Sequence, residues 1–132
     1  MTFDRTTPAN AGDGSQEADV IERRAADQLR EYFAGKRRTF DLPLDLHGTD
    51  FQREAWTALR TIPFGETRTY SEEANIMGRP NAVRAAGSAN GRNPVPIIVP
   101  CHRVVASNGL GGFSSGIERK VLLLKHEGQL RL

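Results

Sequence analysis

The chain has 132 residues, 38% hydrophobic and 26% charged, with a formal net charge of +2. That length suits one compact domain with a tail, and a single cysteine excludes an intramolecular disulfide and fits a reducing, cytoplasmic compartment. No apolar run is long enough to span a bilayer and no basic-then-apolar signal pattern opens the chain, so a soluble protein with no membrane partner is expected.

The charge is unevenly distributed. Residues 75–132 carry eight Lys/Arg against two acids, Glu118 and Glu127, whereas residues 1–74 carry ten against fourteen. The C-terminal excess points to a polyanionic partner, although scattered arginines are also an ordinary solvated surface.

In chain order, residues 1–17 are polar with Gly and Pro, and predict a disordered tail. From Ala18, the spacing of Ile21, Ala25, Leu29, Tyr32 and Phe33 predicts a helix that Gly35 ends. Phe40, Leu42, Leu44 and Leu46 alternate with polar residues or Pro43, the pattern of an extended arm with one apolar face, confined by Pro43 to a sheet edge or a plain strap. Thr49 and Gln52 form a capping box for a helix with Phe51, Ala55, Trp56, Leu59 and Ile62 on one side, closed by Pro63 and Gly65. Trp56 is expected in the core. Thr69 and Glu72 form a second box, opening a short helix stopped by Gly78. Pro80 and Asn81 begin another, running to about Asn90. Two short helices joined this way have the grammar of a helix-turn-helix, which places Arg84 in the first turn of the second helix, where such folds meet a DNA groove. Ala82, Ala85, Ala86, Gly87, Ser88 and Ala89 allow close approach of another backbone, of protein or of nucleic acid.

Residues 93–105 hold the only cysteine, Cys101, next to His102, one of three histidines. Pro94, Pro96 and Pro100 deny this segment a helix and push preceding residues into extended conformations. Ile97, Ile98 and Val99 read as a short buried segment that brings Cys101 to its mouth. A thiol fixed there beside an imidazole can act as a nucleophile; the alternative is a small buried packing group. Asn108-Gly109 predicts a two-residue β-hairpin, and Gly111 to Gly116 an irregular loop able to approach a flat ligand. Ser115 and Glu118 form a third capping box for a last helix, stopped by Gly128.

In this order, the chain resembles the O6-alkylguanine-DNA alkyltransferases. The residues that carry the likeness are Gly48-Thr49, Phe51-Gln52, Trp56, residues 62–67, Tyr70, Arg84-Ala85, Asn93-Pro94, Pro100-Cys101-His102-Arg103-Val104, Gly111-Gly112 and residues 123–128. The resemblance implies a mostly α fold with a small β-hairpin, winged helix-turn-helix in type, with the N-terminal sheet domain largely absent. Residues 18–47 would be its remnant, and residues 48–132 the DNA-binding and catalytic domain. The implied function is direct reversal of DNA damage: a methyl or alkyl group passes irreversibly from guanine O6, with thymine O4 a further candidate, to the protein's own cysteine. Cys101 would be the acceptor, and His102 would take its proton through a water. Glu127 would orient His102, and Asn93 would brace the turn. Tyr70 would donate a proton towards the departing base and rotate the neighbouring phosphate. Arg84 would fill the gap left by the flipped nucleotide, Val104 and Ser114 would contact the base through backbone groups, and Ala85 and Ser88 would line the DNA face. No cofactor and no metal are implied. The partner is double-stranded DNA containing O6-alkylguanine, bound by a monomer, with cooperative binding left open.

Three positions depart from the family's usual residues: Phe113 for tyrosine, Ser115 for glycine and Glu73 for an aliphatic. They imply slower or more selective repair. Three rivals are weighed. A lesion-binding alkyltransferase-like protein would lack the cysteine kept here. A Cys-His hydrolase would need adjacent side chains to meet. An inactive remnant would bury an inert Cys101.

Overall fold

The computed structural model describes residues 12–113 and 115–129, without the side chains of residues 12–18. Contacts divide the chain into two units, Met1–Leu46 and His47–Leu132.

In the first unit, helix α1 spans Gly12–Phe33. It starts six residues before the expected Ala18, so residues 12–17 are helical where a tail was anticipated, and residues 1–11 lie outside the described residues. The helical spacing buries Ala25 and Tyr32, and Tyr32 packs its ring against Phe33 and Phe40. The arm that follows forms no strand among the described residues, yet its alternation is visible. Leu42 is buried, Leu44 and Leu46 are half-buried, and Asp41, Pro43 and Asp45 are exposed. A buried amide fixes its start: Gln28 Nε2 donates to the Asp41 carbonyl, and Gln28 Oε1 accepts from the Asp41 N–H, both at 2.9 Å. That exchange satisfies both backbone groups of a residue that has no sheet partner.

In the second unit, two of the three expected capping boxes form. Thr49 caps α2 (Asp50–Arg60) with Gln52 returning the bond, and Thr69 caps α3 (Tyr70–Ile76) with Glu72. Each box satisfies two of the backbone donors that a helix start leaves open. The apolar stripe of α2 buries Ala55, Trp56 and Leu59, with Ile62 just beyond its end, and the Trp56 indole N–H donates to the Ala89 carbonyl at 2.9 Å. Ala89 lies on α4 (Val83–Asn90), whose small residues let α2 and α3 come close. Helix α4 starts later than Pro80-Asn81 predicts. The chain first makes a turn, Ala82 N–H to Arg79 carbonyl at 2.9 Å, and Ala82 then serves as a cap without a side-chain bond.

Three further expectations are corrected. The proline-bounded segment is a tight turn, not an extended run: the Val99 N–H donates back to the Val95 carbonyl at 3.0 Å and Ile97 sits at φ = 77°. A β-branched residue in the left-handed region carries about 1–2 kcal/mol of strain, which the buried Val95, Ile98 and Val99 around it hold in place. Cys101–Arg103 then forms a single 3-10 turn. Second, Asn108-Gly109 closes only a lone bridge between Ala106 and Gly109, and the expected hairpin is absent. Instead β1 (Arg68–Thr69) pairs in parallel with β2 (Val104–Val105), Arg68 opposite Val104. Local turn chemistry yields here to a pairing that sequence periodicity cannot announce across 36 residues. Third, α5 (Ile117–His126) is capped by Gly116 at φ = 105° with no side-chain bond, so the Ser115 box does not form. Gly128, at φ = 85°, stops this helix as expected. The fold is mostly α, with five helices and one two-stranded sheet among the described residues.

Candidate active site

Cys101 follows the turn directly and is 6% exposed. It shares a cavity of about 200 Å³ with Tyr70, Gly87, Asn90, Gly91, Gly112 and Phe113. A groove of about 510 Å³ lined by residues of α2 and α3 is larger, but it contains no cysteine, histidine or tyrosine. The smaller one is therefore the candidate site.

Asn93 holds the turn and the sulfur together. Its Oδ1 accepts from the Val95 N–H at 2.9 Å, and its Nδ2 donates to the Val99 carbonyl at 2.7 Å and to Cys101 Sγ at 3.2 Å. The Val95 N–H can only donate, so the amide orientation is forced. Burial pushes the Cys101 thiol above its usual range, while the Asn93 hydrogen bond and the positive Lys120 work against that rise. The resting sulfur is accordingly a thiol that needs a base.

His102 is fully buried and pairs through Nε2 with Glu127 Oε2 at 2.8 Å. An ionised carboxylate only accepts, so the Nε2 proton stays between them and the imidazole presents Nδ1 as its acceptor. Nδ1 has no hydrogen-bond partner among the described residues. Burial lowers the His102 pKa from its usual value, with Arg103 and Lys120 adding to that effect and Glu127 opposing it, so at neutral pH this lone pair is available to take a proton. No direct Cys101–His102 hydrogen bond is present among the described residues. The two are neighbours on the 3-10 turn.

Glu127 is shared. Arg103 donates to it twice, Nε to Oε1 at 2.8 Å and Nη2 to Oε2 at 3.0 Å, and sends Nη1 to the Ile62 carbonyl at 2.7 Å. Sequence reasoning used Arg103 only as part of a motif, yet this two-point pair is what makes a buried carboxylate tolerable. Lys120 was missed altogether. It is fully buried on α5, donating Nζ to the Val104 carbonyl at 2.6 Å and the Gly112 carbonyl at 3.0 Å, and burial brings its pKa down to about 8. Its only sequence signal is helical spacing, three residues after Ile117 and three and four before Leu123 and Leu124.

Tyr70, at the first position of α3, is half-buried. Burial raises its pKa, and a backbone hydrogen bond with Gly112 opposes the rise. Its ring lies against Gly87 and Gly111. A Cβ on Gly111 would stand 2.7 Å from Tyr70 Oη and 3.2 Å from the Ala106 nitrogen, at φ = 74°. Gly111→Ala is thus expected to cost about 1–2 kcal/mol in backbone strain alone, lowering the melting temperature. It should also displace Tyr70 from the cavity, visible as altered tyrosine fluorescence in the folded protein.

The remaining candidates are only partly brought together. Arg84, Ala85 and Ser88 share one exposed face of α4. None of them lines the cavity. Val104 is fully buried, with its carbonyl bound to Lys120. Ser114 lies outside the described residues. No three of His, Cys, Asp and Glu converge as a metal site among the described residues, and no described helix is long and apolar enough to cross a membrane.

Comparison with known proteins gives a consistent result. A family model described as 6-O-methylguanine DNA methyltransferase, DNA binding domain, matches residues 50–129, and the ribonuclease-like domain of the same family matches residues 4–46. The methylated-DNA–protein-cysteine methyltransferase of Mycobacterium tuberculosis is 58% identical over 104 residues, 78% of this chain and 63% of that protein. The chain thus spans less than two thirds of the length of that relative. Its counterpart in Methanosarcina acetivorans is 53% identical over 113 residues, 85% of this chain and 72% of that protein. The crystal structure of Mycobacterium tuberculosis OGT in complex with DNA superposes with a TM-score of 0.77 at 57% identity, covering 80% of this chain and 66% of that one. S. pombe Atl1 in complex with damaged DNA containing O6-carboxymethylguanine gives 0.55 at 31% identity, covering 63% and 80%.

Proposed function

Because the chain belongs to the 6-O-methylguanine DNA methyltransferase family, we propose that it repairs DNA by moving an alkyl group from guanine O6 onto Cys101, once per molecule. The observation that carries this reading is the small cavity with Cys101 and Tyr70 on its walls. Guanine O6 lies inside a stacked pair, so the nucleotide must leave the duplex to reach a recessed sulfur. O4-alkylthymine presents the same bond and is a second substrate of the class.

In this reading His102 takes the thiol proton through a water, with Glu127 fixing the tautomer. Sγ attacks the saturated carbon, the S–C bond forms and the C–O6 bond breaks, and its electron pair stays on the base. Tyr70 delivers a proton to the base as that charge develops, a role suited to a phenol kept neutral by burial. The thioether is stable to ordinary thiols, so the protein is consumed. Asn93 keeps the sulfur in line by fastening it to the Val95–Val99 turn. Base contacts through Val104 and Ser114 complete the pocket, with no cofactor or metal. Residues 48–132 form the DNA-binding and catalytic domain, and residues 18–47 belong to the N-terminal one, a division supported by family matches over residues 50–129 and 4–46. The protein acts as a monomer in the cytoplasm.

Arg84, Ala85 and Ser88 offer the exposed α4 face to DNA. Duplex affinity is set mainly by phosphate contacts and falls with salt, whereas Arg84 supports the flipped state. Arg84→Ala is therefore expected to slow transfer more than it weakens binding to undamaged duplex. Equal losses in single-turnover transfer and in equilibrium binding would remove that assignment.

A further inference from the structure

Glu73 and Asn90 form a buried pair that the mechanism does not use. Glu73 lies on α3 and Asn90 ends α4. Asn90 Nδ2 donates to Glu73 Oε1 at 2.8 Å, and both side chains are more than nine-tenths buried. Glu73 Oε2 and Asn90 Oδ1 have no hydrogen-bond partner among the described residues. A buried polar atom left without a partner carries an uncompensated desolvation cost, and an aliphatic pair would pack here without one. Asn90 also lines the Cys101 cavity. With Nδ2 committed to Glu73, the unspent edge of its amide is an acceptor.

We propose that Asn90, oriented by Glu73, is a specificity-determining residue of the Cys101 pocket, its amide oxygen favouring an alkyl group that ends in a hydrogen-bond donor. Resting on the alkyl-transfer reading, this names the preferred substrate class: O6-(2-hydroxyethyl)guanine over O6-propylguanine, which has the same length and no donor. Asn90 and Cys101 wall the same cavity of about 200 Å³, which sets the amide beside the place where the group bound to the attacked carbon sits. Oδ1 is already out of water in the free protein, so an apolar end leaves it unpaired at no further cost, whereas a hydroxyl end that reaches it supplies the missing partner. One such bond is worth roughly a three- to tenfold preference. The proximity of Glu73 to neutrality, its pKa raised to about 7 by burial, adds a dependence on pH. The ionised carboxylate accepts from Nδ2 and leaves Oδ1 free, whereas the protonated carboxyl can donate to Oδ1 and turn the amide round. Among neighbouring groups, Tyr70 on the same helix and Cys101 across the cavity feel the Glu73 charge. Lys120 on α5 is held by the Val104 and Gly112 carbonyls.

The test uses two sets of probes on the full chain, read as intact mass and normalised to free cysteine. Duplexes carrying O6-(2-hydroxyethyl)guanine and O6-propylguanine compete for Cys101 in one set. In the other, 2-iodoethanol and 1-iodopropane alkylate it directly, the S–C bond forming as iodide leaves and the thiol proton passes to buffer. The wild-type chain should favour the hydroxyl-bearing member of each pair about fivefold at pH 8, and less at pH 5.5. Asn90→Leu should abolish the preference, as should the double variant Glu73→Leu/Asn90→Leu, whose apolar pair folds without a lone buried carboxyl. Preference with the free reagents but no transfer from either duplex sustains the inference and removes the repair reading. Transfer from both duplexes with no hydroxyl preference in either set, or a preference that survives Asn90→Leu, overturns the inference and leaves repair intact.

Discussion

Glu127→Gln is expected to destabilise the protein by about 3–5 kcal/mol, the usual consequence of stranding a buried charge by removing its partner. Glu127 is 4% exposed and Arg103 is 6% exposed, and three donors converge on the one carboxylate. A neutral amide turns one of those donors against another and leaves the guanidinium without a counter-charge. The His102 tautomer is released at the same time, because an amide can offer an N–H to Nε2 as readily as it can accept from it. Transfer should then fall by more than stability accounts for. The double variant Arg103→Met/Glu127→Leu separates the two effects. Apolar replacement of a whole buried ion pair is often neutral or stabilising, so this protein should recover most of the lost stability, short of what the unpaired His102 Nε2–H and Ile62 carbonyl cost, yet transfer slowly. Chemical denaturation with single-turnover kinetics measures both quantities. A double variant that transfers at the wild-type rate would show that the carboxylate serves folding alone.

The second large effect is at His102. His102→Phe should slow transfer at pH 7.5 by about 10²–10⁴-fold, the range for a positioned general base. The pH profile gives the sharper test. His102 must be neutral to act, and its pKa lies below 6.5 because burial lowers it. Wild-type transfer should consequently hold its rate down through pH 6.5 and decline only under more acid conditions. The thiol, pushed above 9, does not ionise unaided until more alkaline pH, so the deficit of His102→Phe should narrow only there. A wild-type rate tracking direct thiol ionisation across neutrality would contradict the role of His102.

Stability carries two opposite slopes from the same region. His102 enters the fold neutral with a depressed pKa, so its contribution is present above 6.5 and is lost as pH falls through the lower folded value. Glu73 is the reverse, with a pKa raised from 4.5 to about 7. Its contribution is present below 4.5 and is lost as pH rises through 7. Glu73→Gln should therefore melt higher than wild type at pH 8 and show no such gain at pH 4.5.

What the sequence revealed follows from what is local. The Thr49 and Thr69 boxes each span four residues and need no tertiary partner, so both helix starts were legible. Trp56 was legible as core because a helical stripe has to be buried somewhere. Cys101 could be singled out, but its setting could not. The left-handed Ile97 and the 3-10 turn exist because Asn93 and buried valines hold them, against the preference of a β-branched residue. The hairpin failed because β1 claims β2 from across the chain. Arg103 and Lys120 were invisible as buried residues, since a cation is placed inside only when acceptors from distant segments meet it. Ile62, Glu127, Val104 and Gly112 supply them. Glu73 stood out in the sequence only as a charge in an aliphatic place, and Asn90 gives that charge its meaning.

The central claim is that this sulfur strips carbon from an everted purine. Intact-mass spectrometry after incubation with duplex DNA containing O6-methylguanine tests it most directly, with Cys101→Ala as control. One added methyl per molecule, mapped to Cys101 and absent from the control, is the predicted result. Tight binding to the lesion with no change of mass would contradict it and place the chain among proteins that recognise the damage without removing it.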